Sequence, residues 1–251
     1  MTDQKTLAYI NLFGVLGSLT ELCRQVPKAK ALLGDQKITI AIVVKDGPAG
    51  RLIFEKGNCT VVPGDGACHI RLPFSTCAKF NGMIDGTVTP IPSKGFIHIK
   101  FLLDTFTKLT DMLTAYLRPS EEDLEDEEFF NLSTTLLFYT ISVAISQIGN
   151  HDDIGKFSAD HIVDGDIKMS IKGGPAATVR AKNGHLITIK QAPDEPRAIM
   201  EFGSMKLAHD LFDGKVNAVA QIGEGTIAMH GMINMIDNLN RILDRVALYL
   251  A

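Results

Sequence analysis

The feature that most constrains this chain is that it repeats itself. Lys45-Asp46-Gly47-Pro48-Ala49 returns as Lys172-Gly173-Gly174-Pro175-Ala176, and Met83-Ile84-Asp85-Gly86-Thr87-Val88 returns as Leu211-Phe212-Asp213-Gly214-Lys215-Val216. Gly95-Phe96-Ile97-His98-Ile99 has its match in Gly225-Thr226-Ile227-Ala228-Met229. The matching points stay within about three residues of a 128-residue offset. Ordered matches at nearly one spacing imply two copies of one supersecondary unit, and 251 residues suit two domains of ordinary size. Residues 1–118 form the first module, 119–128 an acidic linker that also begins a helix, and 129–251 the second module.

Each half reads as the same run of elements. A mostly apolar helix leads, from Leu7 to Val26 and from Phe129 to Ile148. Ile38, Ile40 and Ile42 then alternate as on a half-buried strand, as do Ile167, Met169 and Ile171. Gly-Pro turns the chain. A hairpin follows, Arg51 to Glu55 with Cys59 to Val62 about Lys56-Gly57-Asn58, and Ala177 to Ala181 with Leu186 to Lys190 about Asn183-Gly184. A fourth strand, His69 to Leu72 or Ala198 to Glu201, leads to a short helix. Ser75 or Ser204 is expected to cap that helix, and Asp-Gly to end it. A fifth strand comes next, at Gly95 to Ile99 in the first half. A closing helix finishes each half, with Leu102, Phe106, Leu109 and Leu113 at helical spacing and Met232, Ile236, Leu239 and Leu243 matching them. The seven carboxylates of Pro119 to Glu128 suit the N-terminus of the second leading helix.

Composition narrows the function classes. A formal charge of −4 with scattered lysines and arginines argues against a nucleic-acid partner. Cys23, Cys59, Cys68 and Cys77 form no Cys-x-x-Cys pair and all lie in the first half, as expected for reduced, packed thiols in a cytoplasmic protein. Leu7 to Leu22 lacks the basic leader and unbroken apolar run of a secretory signal. Phe129 to Gly149 carries no charge over a length that could span a bilayer. Its eight polar residues and acidic flanks instead predict a buried amphipathic helix, so no transmembrane segment is expected.

Val43-Val44-Lys45-Asp46-Gly47-Pro48 resembles the first strand and turn of the sterol carrier protein-2 domain. Met83 to Pro90 and Phe212 to Ala218 are similar to that family's Gly-Lys-Met-Asn-Pro segment, and Gly225 to Gly231 to its final strand. The resemblance covers nearly all of both halves. It departs in the tandem copy, in Phe101 where the last strand should end on glycine, and in Ala218 where the first half has Pro90. The chain ends Tyr249-Leu250-Ala251, not on a peroxisomal Ser-Lys-Leu, so a bacterial or other non-peroxisomal source is expected. The resemblance implies an α+β fold: two tandem modules, each a five-stranded, mainly antiparallel sheet covered by helices on one face, with an apolar tunnel between. On this basis Phe74, Phe80, Ile84, Leu102, Phe106 and Leu109 are expected to line the first tunnel. Phe202, Met205, Leu211, Phe212, Met229, Met232, Met235, Ile236 and Leu239 are expected to line the second. Its methionines, Met200 among them, are adaptable lining residues and make the second half the expected working site.

No catalytic motif stands against a carrier. The seven histidines form no i, i+4 pair and join no metal motif. Gly14 to Gly17 is expected to allow close helix packing, not to cradle phosphate. Asp85 and Asp213 recur because Asp-Gly is a turn. The expected function is therefore non-enzymatic binding and transfer of a fatty acid, acyl thioester, isoprenoid or sterol-like lipid, without cofactor or metal. Transient membrane contact and a protein partner stay open. The alternative is a structural or accessory protein that binds another protein through a pseudo-dimer of its two modules.

Overall fold

Alternating burial along the first β-strands sets the architecture, and a computed structural model describes it over residues 2–250. The chain divides into two compact units, one from Asp3 to Phe129 and the other from Phe130 onward.

In the first unit, a leading helix runs over Gln4–Gln25, with α1 (Gln4–Tyr9) and α2 (Leu19–Gln25) at its two ends. Asp3 caps it, its carboxylate accepting the Lys5 and Thr6 N–H groups. The helix is not regular. Ile10–Val15 winds as a π-helix, with the Leu16 N–H reaching back to the Asn11 carbonyl, before a 3-10 turn at Leu16–Ser18. Helix α3 (Pro27–Leu33) follows, then strands β1 (Lys37–Val44), β2 (Ala49–Glu55), β3 (Asn58–Pro63) and β4 (Ile70–Phe74). The sheet order is β3-β2-β1-β4, antiparallel except where β1 lies parallel to β4. Lys56 and Gly57, both at positive φ, make the tight β2–β3 turn expected of this hairpin. Gly50, Leu52 and Phe54 bury one face of β2, and the Phe54 ring meets Phe101 and Phe106 at 5.4 and 6.2 Å. Helix α4 (Cys77–Ile84) is capped by Thr76, one residue beyond the expected Ser75, through a 3.2 Å bond from the Lys79 N–H. It ends on Asp85-Gly86, with Gly86 left-handed as expected.

The expected fifth strand of this unit does not form, so its sheet has four strands. Only Lys94 bridges to Arg71 of β4. Pro92, in the stretch before Gly95 that corresponds to β9, removes an N–H group a ladder would need. Gly95, at φ 92°, then turns the chain into a 3-10 turn over Phe96–His98. The closing helix starts as a second π-helix, Phe101–Phe106, and continues as α5 (Thr107–Leu117).

The second unit repeats this plan with regular helices. Asp126 caps α6 (Glu127–His151) by accepting the Phe129 N–H at 2.8 Å. Helix α7 (Asp153–Asp160) precedes β5 (Gly165–Ile171), β6 (Ala176–Lys182), β7 (His185–Ile189) and β8 (Ala198–Phe202). Ser204 caps α8 (Met205–Phe212) as expected, accepting the Leu207 N–H at 3.1 Å. Helix α9 (Ala218–Gly223) and a true fifth strand, β9 (Ile227–Gly231), lead to the closing helix α10 (Ile233–Leu250). The sheet order is β7-β6-β5-β8-β9.

This corrects the third of the matched segments. A Cβ on Gly95 would lie 2.2 Å from the His69 carbonyl oxygen, and one on Gly231 would lie 2.2 Å from the Arg197 carbonyl oxygen. Both glycines sit against the head of a fourth strand, so Gly95 matches Gly231 and not Gly225. Nine residues separate Gly86 from Gly95, whereas seventeen separate Gly214 from Gly231, and α9 lies within the longer stretch. The strand-ending glycine expected at position 101 is therefore present, as Gly95.

Gln4–Gln25 and Glu127–His151 are each long and apolar enough to cross a membrane by length and composition, and 72% and 61% of their apolar windows are buried within the folded chain. All four cysteines are free thiols, and burial pushes Cys23 up to about 12.

Candidate functional site

The first unit contains a cavity of about 400 Å³, within the size range of small-molecule sites. Its walls come from five places in the unit. The leading helix contributes Val15 and Leu16, β4 contributes Leu72, and the end of α4 contributes Met83 and Ile84. Val88 and Pro90 close it from the turn that follows. The closing helix supplies the longest wall, with Ile99, Leu102, Leu103, Phe106 and Leu113.

Both π-helical segments of this unit touch the cavity. Val15 ends the first, while Leu102, Leu103 and Phe106 belong to the second. A π turn adds one residue to a helical turn and is common at functional sites. Here the Thr107 N–H reaches the Leu102 carbonyl five residues back, and the Thr107 hydroxyl donates to the same oxygen at 3.0 Å. The corresponding helices of the second unit, α6 and α10, are α-helical throughout.

The polar part of the lining is sparse. Thr110 donates to the Thr107 and Phe106 carbonyls, and Thr114 to the Thr110 carbonyl at 2.9 Å. Those hydroxyl protons are held by the backbone, which leaves oxygen lone pairs and methyl groups for an occupant. Asp111 is the one ionisable side chain in the lining. It is exposed, at the edge of the site.

A buried polar pair fixes the leading helix on α4. Asn11 Nδ2 donates to Asn81 Oδ1 at 3.0 Å, and Asn81 Nδ2 donates to the Gln4 carbonyl and side-chain oxygens. Asn11 stands inside the first π segment, so this clamp acts on the helix just before it reaches the cavity. In the second unit His209 takes the place of Asn81 on α8. Its Nδ1 lies 3.2 Å from the Thr134 hydroxyl of α6.

Ile84, Leu102 and Phe106 stand on the wall of this cavity. Phe74 and Phe80 pack edge-on to each other at 5.2 Å in the core, and Leu109 is fully buried. In the second unit Phe202, Met235, Ile236 and Leu239 are buried core residues. Met205, Leu211, Phe212, Met229 and Met232 are half-buried, with the Phe212 ring 5.6 Å from Phe202. The sequence reading missed Val15, Leu16, Leu72 and the threonines of the closing helix. Thr107, Thr110 and Thr114 fall on one helical face beside Phe106, and that spacing was a usable signal. At Gly17 close helix packing does not require a glycine, because a Cβ there would meet no atom within 4 Å. Among the described residues, no group of three or more His, Cys, Asp or Glu side chains could hold a metal ion.

No family model and no curated protein matches the chain. Several solved structures are similar to parts of it. The sterol carrier protein domain 2 of Helicoverpa armigera is 16% identical with a TM-score of 0.36, over 44% of this chain and 88% of that one. A UbiJ-SCP2 ubiquinone synthesis protein is 12% identical with a TM-score of 0.33, over 41% and 93%. The apo form of sterol carrier protein 2 from Yarrowia lipolytica is 18% identical with a TM-score of 0.30, over 40% and 91%.

Proposed function

We propose that the first unit is a non-enzymatic carrier of an apolar ligand, held in the cavity between the leading and closing helices. The observation that carries this reading is the lining: a mostly apolar wall from Leu72 to Leu113, with its polar groups on one face of the closing helix and at Thr89 of the preceding turn. A methylene occupies about the volume of a water molecule, about 30 Å³, so the cavity suits roughly a dozen carbons. Burying such a chain gains about 0.8 kcal/mol per methylene, or about 10 kcal/mol before ordering costs. Less an association cost of about 4 kcal/mol or more, about 6 kcal/mol remains, which gives reversible binding no tighter than micromolar without any specific polar contact. The resemblance of the turn and helix motifs to the sterol carrier protein-2 family supports the same reading. Phe74, Phe80 and Leu109 back this site from the core, and a related role of Phe202, Met205, Leu211, Phe212, Met229, Met232, Met235, Ile236 and Leu239 in the second unit is proposed on the repeat alone.

The acidic side chain of Asp111 disfavours a free carboxylate head at that edge of the lining. A neutral head, such as the hydroxyl of a fatty alcohol, isoprenol or sterol-like lipid, can instead donate to it or to the threonine oxygens.

The test is to purify the protein gently, extract it with organic solvent, and identify any lipid released. Displacement of a fluorescent acyl probe by a fatty alcohol and by the matching fatty acid completes it. Released lipid, with the alcohol displacing better than the acid, is the expected result. No co-purified lipid together with no probe uptake would contradict it.

A further inference from the structure

Where the first unit lacks its fifth strand, it exposes an apolar segment. Ile91, Phe96 and Ile97 are 76%, 63% and 89% exposed, although they are large hydrophobic residues. They are held by structure: Gly95 is fixed against the head of β4, the Phe96–His98 turn follows at once, and the His98 ring meets His69 edge-on at 5.6 Å. The segment is also continuous with the cavity. Ile99 and Leu103, one and two turns further along, line the cavity and remain exposed themselves.

The charge of this stretch is one-sided. Between Asp85 and Asp104 this stretch contains Lys94 and Lys100, both exposed, with Lys94 Nζ also donating to the Cys68 carbonyl at 3.0 Å, in a chain whose net charge is −4. Exposed apolar side chains bracketed by lysines fit the boundary between acyl chains and anionic headgroups, because the rings and branched chains enter the apolar layer while the ammonium groups stay in the polar one. The exposed isoleucine after the glycine recurs in the second unit, where Ile233 follows Gly231 by two residues and is 79% exposed.

We propose that Ile91, Phe96 and Ile97, with Lys94 and Lys100, form a docking surface for an anionic lipid bilayer at the mouth of the first-unit cavity. Docking there would set Ile99 and Leu103 against the membrane, so that a lipid passes between bilayer and cavity without crossing water. The inference rests on reading the cavity as a lipid site.

The test is co-sedimentation of the full chain with phosphatidylcholine vesicles, with and without phosphatidylglycerol, at low and high salt. Probe uptake in vesicle-free buffer is measured in parallel. The unmodified protein is expected to bind phosphatidylglycerol vesicles, more weakly as salt rises. Phe96→Ser with Ile97→Ser should lower partitioning about tenfold or more. Lys94→Gln with Lys100→Gln should remove most of the preference for anionic vesicles. None of these positions lines the cavity, so both double variants should take up the probe in solution like the unmodified protein. Undiminished vesicle binding by the serine variant, or no binding of the unmodified protein to either vesicle, would overturn the proposal. So would a dimer in solution that the serine variant converts to monomer, since the occupant would then be a second copy of the chain. Patch-dependent vesicle binding without probe uptake would support docking while contradicting the cavity reading.

Discussion

Gly95 and Gly231 stand at the same point of their respective units, each with its Cα facing the carbonyl that precedes the fourth strand. Both are left-handed, at φ 92° and 89°, and a Cβ on either would lie 2.2 Å from that carbonyl oxygen. The clash is with backbone, which cannot move aside as a flexible side chain could. Gly95→Ala and Gly231→Ala should each destabilise their own unit by about 3 kcal/mol. Denaturant unfolding of the two variants checks this, and wild-type stability in either would contradict the equivalence.

Gly17 predicts the opposite. It is buried, not left-handed, and has open space where a Cβ would go. Gly17→Ala should therefore raise stability by about 0.5–1 kcal/mol, the usual helix gain. Thermal unfolding measures it.

Asp152 ties the closing helix of the second unit to the start of α7. One carboxylate oxygen accepts the Gly155 N–H at 2.8 Å, and the other accepts Arg245 Nη2 and the Tyr249 hydroxyl, both at 2.6 Å. Burial opposes ionisation of Asp152, but Arg245, Tyr249 and the Gly155 N–H together hold its carboxyl below the usual carboxylate range. A carboxyl with a depressed folded pKa contributes stability that is present above its unfolded value, about 3.9, and is lost as pH falls through the folded one. Asp152→Asn should cost about 3 kcal/mol near neutral pH and flatten the acid limb of the stability profile.

His209 makes the second unit sensitive to pH in a milder range. It is 2% exposed, its Nε2 makes no hydrogen bond, and Asp213 Oδ2 lies 3.5 Å away. Burial pushes its pKa down and Asp213 opposes that, with Lys206, Asp210 and Lys215 adding smaller effects of mixed sign. The unfolded chain therefore takes up this proton at higher pH, near 6.5, than the folded one. Stability should rise with pH up to that point and fall as pH drops below it. Asn81 holds the same place in the first unit without titrating. His209→Asn should then flatten the dependence of melting temperature on pH between about 5 and 6.5.

How much of this was legible beforehand depended on how local the signal was. Asp85-Gly86 and Asp213-Gly214, Asn183-Gly184, and the alternation of Ile38, Ile40 and Ile42 act within a few residues and read directly. The match of Gly95 to Gly225 failed because α9 lengthens the second copy, and Gly-x-Ile patterns occur at both ends of β9. Pro92, just before Gly95, is the local signal against a paired strand in the first unit. The π-helical segments carry no distinctive sequence signature. Val15 and Leu16 therefore read as ordinary core positions, although both line the cavity. Methionine content directed attention to the second unit, while the described cavity is built from leucine, phenylalanine and threonine in the first.

The central claim, that the cavity of the first unit holds an apolar chain, is tested most directly by photolabelling. A fatty alcohol bearing a diazirine near its methyl end is bound to the full chain, irradiated, and the labelled peptides are mapped by mass spectrometry. Saturable labelling within residues 83–90 and 99–114, competed by unlabelled alcohol, is the predicted result. Labelling confined to the second unit, or spread over both without competition, would contradict it.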